Sequence, residues 1–240
     1  MDLWLNRSHQ ANRMDNEDIQ VFQGLLDEVG SDRSIRLLVL RAKGPTFCSG
    51  YDLKALASSP EVATPGFDRV VDSLENLRVP TIAAMTGSVY GGGTDLSLAC
   101  DFRIGVPDIE FVMPAARLGI HYYYGGMQRY VSRLGLGAAK RLFLRAERIG
   151  ADEMARIGFL DEIVERDQLE ARIDAWAAAL LANSPNAVQG MKNALNKIST
   201  GTADRNEVDG AWRDSLCSED LREGLAALAE KRAAKFNSPV

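Results

Sequence analysis

The sequence predicts an α/β body followed by an all-helical C-terminal quarter, and three observations carry that reading. Short apolar runs bounded by turn residues alternate with apolar stripes spaced at three and four through the first two thirds of the chain. Past about residue 167 only the stripes remain. The composition, 46% hydrophobic and 25% charged over 240 residues, is that of a folded protein rather than a disordered, collagenous or disulfide-scaffold chain. The expected division is a body over residues 1–166 and a helical region over 167–240.

Ile19, Phe22, Leu25, Leu26 and Val29 repeat as one helix face, so a helix is expected after Asp15, ending near Gly30. The run Ile35–Leu40, between Ser31-Asp32 and Gly44-Pro45, reads as a buried strand. Phe67, Val70, Val71, Leu74 and Leu77 restore the helical period, and Thr81–Met85 after Pro80 is the next strand. Further strands are expected at 102–106, 109–113 and 159–164. Four stripes follow: Leu169, Ile173, Trp176, Leu180; Val188, Met191, Leu195, Ile198; Val208, Trp212, Leu216; and Leu221, Leu225, Leu228, Arg232. Ser184 before Pro185 is an N-cap followed by proline at the first helical position, which fixes one helix start. Helices this apolar must bury their stripes against the body or a second copy, so self-association is expected.

Charge narrows the function classes. With 28 basic and 33 acidic residues the net charge is −5, and no run of like charge exists to neutralise a phosphate backbone, so no nucleic-acid partner is expected. The three cysteines, Cys48, Cys100 and Cys217, are far apart, which suits a reducing compartment, and a cytoplasmic location is expected with no membrane span. His9 and His121 lie more than a hundred residues apart with no ligand spacing between them, so no metal is expected.

Several chemistries lack their motif. There is no phosphate-binding G-x-x-x-x-G-K-[ST] loop, Gly135-Leu-Gly137 fails the dinucleotide fingerprint, and no G-x-S-x-G elbow exists. What stands out is Gly91-Gly92-Gly93 between a strand ending near Val89 and a helix from Thr94 to Cys100. Three glycines there let backbone N–H groups approach a ligand, and a helix N-terminus adds positive potential, which together make an anion or oxyanion site. A tight strand-to-helix turn explains the same glycines equally well. Asp95, three residues beyond Gly92 on a helix, shares the face of that amide and is the leading acid/base candidate; a carboxylate complementing the helix dipole is the alternative. The second feature is Phe47-Cys-Ser-Gly50-Tyr-Asp52-Leu-Lys54, by itself an ordinary loop.

Taken together, the two segments resemble the crotonase, or enoyl-CoA hydratase/isomerase, superfamily, in which F-x-x-G-x-D and G-G-G-x-[ED]-L-x-x-x-C-D supply the amides that hold a thioester oxygen. The resemblance extends over nearly the whole chain, through Leu5-Asn6-Arg7, Ala99-Cys100-Asp101, Phe111-x-x-Pro114, Gly125-Gly126-Met-Gln128-Arg129, Gly158-Phe-Leu-Asp161 and Ser218–Gly224. It implies a spiral of β-β-α turns with a C-terminal helical oligomerisation region that builds trimers or pairs of trimers. It implies acyl-CoA substrates, with coenzyme A as part of the substrate and no separate cofactor.

Carried over by position, the oxyanion donors are the amides of Tyr51 and Gly92, with Gly91 beside them. Ser49, Tyr51, Asp52, Leu53 and Lys54 line the path of the coenzyme A moiety, Lys54 toward phosphate, while Asp52 and Asp101 suit structural roles in their turns. Asp95 matches the first catalytic carboxylate, one methylene shorter than the usual glutamate. The second should follow Pro114, where this chain has Ala115. An efficient two-carboxylate hydratase is therefore not expected, since groups acting as a unit are costly to remove. Substitutes are sought in His121-Tyr122-Tyr123-Tyr124, with His121 and Tyr123 as candidates and a packing role as the alternative. Leu3–Arg7 matches a strand that family members commonly precede with another, so the adenine end of the coenzyme A site is expected to be less complete. The resulting expectation is an enolate-stabilising enzyme of the hydratase/isomerase type. A catalytically decayed acyl-CoA binder, or a member performing isomerisation, decarboxylation or thioester hydrolysis, is the alternative.

Overall fold

Two stacked sheets wound by one repeating unit organise the N-terminal two thirds of the chain. A computed structural model describes residues 1–54 and 66–236. The larger sheet contains β1 (Asp2–Leu5), β2 (Leu38–Ala42), β4 (Thr81–Met85), β6 (Phe102–Gly105) and β9 (Glu162–Ile163), in that spatial order and all parallel. The smaller contains β3 (Thr46–Cys48), β5 (Ser88–Tyr90), β7 (Glu110–Val112) and β8 (Arg148–Gly150), with only the last pair antiparallel.

Each turn of chain gives one strand to each sheet and then a helix. β2 and β3 lead to α2 (Phe67–Glu75), and β4 and β5 lead to α3 (Gly92–Ala99). β6 and β7 lead to α4 (Tyr124–Leu144), which is kinked at Gly135, where φ is 80°. This is the β-β-α spiral that the resemblance implies. Parallel strands covered on both faces should be apolar without alternation, and β2 and β4 are buried at every position.

Local signals behave as the sequence suggests in most places. α1 (Asn16–Ser31) starts at Asp15, whose carboxylate accepts from the amides of Glu17 and Asp18 while Asp18 caps back. Ser184 caps α7 (Pro185–Thr200). Strand boundaries moved where turns claimed residues. Ile35 lies in a turn, its amide bonded to Asp32 and its carbonyl accepting from Arg78, so β2 begins three residues later than expected. The run expected at 159–164 supplies only a two-residue strand, because the Phe159 and Leu160 amides both close a turn onto Met154. The glycine helix begins at Gly92 rather than Thr94.

All four C-terminal stripes are helices: α6 (Leu169–Leu181), α7, α8 (Arg205–Ser215) and α9 (Glu219–Glu230), with the short α5 (Ala151–Arg156) before them. α6 packs on β4 and β6, with Trp176 edge-on to Phe102 at 5.1 Å. α9 stops at Lys231, where φ is 53°, so Arg232 leaves the stripe and pairs with Glu223 at 2.6 Å. On α7 to α9, Leu195 is 64% exposed, Trp212 62% and Leu228 75%, so much of these stripes is left uncovered by the described residues.

Candidate active site

Two walls of different construction line a cavity of about 380 Å³. The first is backbone. The loop after β3 and the start of α3 lie in direct contact: a methyl group on Gly50 would stand 2.4 Å from the Gly92 nitrogen, and one on Gly93 would stand 2.1 Å from the Cys48 carbonyl oxygen. Gly50 also has φ of 86°, in the left-handed region that favours glycine. Met14 holds the loop from below, its amide donating to Gly50 and its carbonyl accepting from Asp52. The Tyr51 and Gly92 amides have no acceptor among the described residues. Gly92 opens a helix, so its N–H has no partner in the ladder and carries the positive end of the dipole.

The second wall is made of side chains. Tyr122 and Tyr123 reach the cavity just before α4, and both hydroxyls donate to Asp95 Oδ2, that of Tyr122 at 3.2 Å. Asp95 Oδ1 accepts from Arg129 Nη1 at 2.7 Å. Arg129, on α4, is 1% exposed and turns its other nitrogen to Asp72 at 2.7 Å and Glu75 at 3.0 Å on α2. Gly126, one turn before Arg129, makes room for this cluster: a methyl group there would meet the Tyr122 ring at 2.3 Å and Asp95 at 2.8 Å. Burial first, and the Asp95 charge second, push the Tyr122 and Tyr123 pKa values well above the ordinary tyrosine range. Both therefore remain neutral hydroxyls. Burial opposes the charge on Arg129, but Asp95 and Glu75 more than offset it and raise its pKa.

The candidate residues divide accordingly. Ser49, Tyr51, Leu53, Gly91, Gly92, His121 and Tyr123 line the cavity. The Tyr51 hydroxyl donates to Asn16 at 2.8 Å. His121 stands exposed at the mouth, with Nδ1 2.9 Å from the Tyr122 carbonyl oxygen. Asp95 is fully buried behind the tyrosines and does not line the cavity. Asp52 is held in its turn by the Lys54 amide at 2.8 Å and by Arg13 at 2.9 Å, and neither Asp52 nor Lys54 is part of the cavity wall. Asp101 accepts from the Thr81 amide at 2.8 Å and pairs with Lys192 at 2.7 Å, which ties α7 to β4.

Ala115, at the position where the resemblance places a second carboxylate, is buried in the wall with Met113, Leu118 and Ile120, so that side is apolar. Phe67 and Asp68, from the start of α2, line the cavity, as do Tyr90 and Met113; none of the four is a candidate site residue by sequence, where Phe67 and Met113 read only as parts of a helix stripe and a strand. Asp68 is adjacent to the apolar stripe and carries no motif, so nothing in the sequence alone marks it. Arg129 belonged to a quoted motif, but its place at the centre of an ion-pair cluster depends on how α2, α3 and α4 pack.

The glycine-built amide wall, the β-β-α spiral and the acyl-sized cavity together define a crotonase-fold protein. The chain belongs to the enoyl-CoA hydratase/isomerase family, whose sequence model matches residues 1–239. It is 31% identical to crotonyl-CoA hydratase of Syntrophomonas wolfei, covering 98% of this chain and 94% of that one. It is 30% identical to short-chain-enoyl-CoA hydratase of Clostridium acetobutylicum, covering 95% and 90%. The crystal structure of enoyl-CoA hydratase from Bacillus anthracis superposes with a TM-score of 0.90 at 32% identity, covering 98% of this chain and 94% of that one. Among the described residues no helix is long and apolar enough to cross a membrane.

Proposed function

We propose that this chain binds acyl-CoA thioesters, stabilises their enolates between the Tyr51 and Gly92 amides, and shifts a double bond by moving one proton at the tyrosine wall. The observation that carries this reading is the pair of acceptor-free amides on two touching glycine segments, lining one cavity with two tyrosines whose hydroxyls are bonded to a buried carboxylate. A thioester oxygen between the two amides gains negative charge as a proton leaves the adjacent carbon. Preorganised donors at that oxygen contribute about 2.7 to 4 kcal/mol each.

Asp95 cannot touch substrate directly, so its part runs through Tyr123. With a 3-enoyl thioester, the Cα–H bond breaks and the proton passes to the Tyr123 oxygen as the Tyr123 proton passes to Asp95. The electron pair is delocalised through the thioester oxygen and the double bond. Reversal of the relay at Cγ delivers a proton there, leaving the 2-enoyl isomer and the protein unchanged. Arg129 balances the carboxylate and fixes its orientation. Exposed stripes on α7 to α9 support self-association; the reading adds, from the family resemblance, a homotrimer or a pair of trimers, and a cytoplasmic location.

Incubating saturated, 2-enoyl, 3-enoyl and malonyl-type CoA thioesters with the protein in heavy water, followed by mass spectrometry, tests the reading. The expected result is α-deuterium incorporation and isomer formation from the 3-enoyl substrate, both stopped by Asp95→Asn. The apolar wall at Ala115 favours a second reading, a catalytically decayed acyl-CoA binder. Thioesters that bind by calorimetry but never change would establish that reading and overturn the first.

A further inference from the structure

Two peptide units carry the amides of the glycine wall, and each is held by its carbonyl end. In a planar trans peptide the C=O and N–H point in opposite directions, so fixing one aims the other. The Gly50 carbonyl shares its peptide with the Tyr51 amide and accepts from the Met14 amide at 2.8 Å, a backbone anchor. The Gly91 carbonyl shares its peptide with the Gly92 amide. It accepts from the Thr94 amide at 3.1 Å and from the Thr94 hydroxyl at 2.5 Å, so here part of the anchor is a side chain. Thr94 has one hydroxyl proton and gives it to that carbonyl, so the Tyr130 hydroxyl, bonded to Thr94 Oγ1, is the donor of their pair. Both side chains are wholly buried, and Tyr130 comes from α4 rather than α3.

The Gly91–Gly92 peptide needs such a hold. Glycine stands on both sides of it, so no Cβ restricts its rotation, and Gly91 itself has φ of 52° and ψ of −128°. The Gly91 amide, bonded to the Val112 carbonyl at 2.9 Å, fixes the preceding peptide and not this one. A threonine hydroxyl returning to a carbonyl one turn back is common in helices and by itself signals nothing. Here the carbonyl belongs to the peptide whose acceptor-free N–H lies at the cavity, and a tyrosine from a second helix holds the hydroxyl in place.

We infer that Thr94, seated by Tyr130, is a positioning residue that aims the Gly92 amide at the thioester oxygen. Neither side chain is part of the cavity wall, so both act through the Gly91–Gly92 peptide and not on substrate. The inference rests on the enolate reading above and deepens it, by naming what keeps one of the two donors preorganised. A misaimed donor loses most where the oxygen carries most charge, so its loss falls on kcat more than on KM.

The test compares the full chain carrying Thr94→Val, which keeps the side-chain shape and removes the hydroxyl, with Thr94→Ser, which keeps the hydroxyl. Infrared difference spectra of bound butanoyl-CoA, isotope-labelled at its thioester carbonyl, read the oxyanion site without turnover. The wild-type carbonyl band should lie below its solution value. Thr94→Val should return about a third or more of that displacement, and Thr94→Ser should leave the band where it is in the wild type. With but-3-enoyl-CoA in heavy water, kcat for α-deuterium exchange should fall about 10-fold or more in Thr94→Val with KM within about threefold, and Thr94→Ser should stay within about threefold of the wild type. Thr94→Val alone orphans the buried Tyr130 hydroxyl; should it not fold, Thr94→Val/Tyr130→Phe replaces both partners and gives the same two readings. The inference is overturned if the hydroxyl-free variant keeps the wild-type band, if its kcat and KM change together, or if Thr94→Ser fails to preserve band and kcat. A wild type whose bound carbonyl band stays at its solution value would instead refute the oxyanion reading itself, and the inference with it.

Discussion

The two walls of the cavity are built from opposite materials. The glycine wall presents backbone amides whose positions are set by main-chain contact between the Gly50 loop and α3, with no room for a Cβ. The tyrosine wall presents side-chain hydroxyls whose positions are set by a chain of charges running from Asp95 through Arg129 to Asp72 and Glu75. A backbone site depends on which residues are absent. A side-chain site depends on partners gathered from three helices, so each wall fails in its own way.

The largest expected effect comes from breaking the second wall at its centre. Arg129→Met leaves Asp95 fully buried without its cation, and removing one partner of a buried pair costs about 3 to 5 kcal/mol. Urea denaturation should show a stability loss of that size, and a loss under 1 kcal/mol would mean that the cluster is solvated and weak. Breaking the first wall should cost somewhat less. Gly93→Ala places a methyl group against the Cys48 carbonyl, a backbone atom that cannot swing aside, and overpacking of this kind costs about 1 to 3 kcal/mol. Thioester affinity should fall with it, whereas Arg129→Met should spare the amides and leave more of the binding intact once refolding is controlled. Equal losses of affinity in the two variants would erase the distinction between the walls.

The smallest effect sharpens the comparison without mutation. The folded pKa values of Tyr122, Tyr123 and Tyr130 are raised, by burial first, above those of the unfolded chain. Their contribution to stability is therefore fully present below the unfolded tyrosine pKa, about 10, and is lost as pH rises above it. Ultraviolet titration should show these three of the six tyrosines ionising only together with alkaline unfolding. Ionisation of all six in the native state would show that the tyrosine wall is open to solvent.

The cavity also explains why some candidate residues were legible in the sequence and others were not. The run Gly91-Gly92-Gly93 stands out in the sequence, and the structure shows why each is glycine: Gly91 has φ of 52°, Gly92 makes room for the Phe67 ring and Gly93 for the Cys48 carbonyl; spacing alone put Asp95 on the face of the Gly92 amide. That spacing could not reveal that Asp95 sits behind two tyrosines, because the depth of a helical residue depends on what packs over it. Lys54 and Asp52 occupy positions adjacent to the glycine loop, yet a turn held by Arg13 and Met14 keeps them off the cavity wall.

By itself the sequence determined the alternation of strands and helices in the body and the four C-terminal helices, the capped starts of α1 and α7, the two glycine segments and the absence of a carboxylate at Ala115, but not β3, β8 or α5. These follow from local periodicity, capping chemistry and glycine's missing Cβ, all of which act over a few residues. Only the tertiary structure decided that Asp95 lies behind two tyrosines whose hydroxyls donate to it, and that Arg129 joins three helices. Those outcomes depend on contacts between residues 27 to 57 positions apart, and on burial that turns weak surface charges into strong, oriented ones.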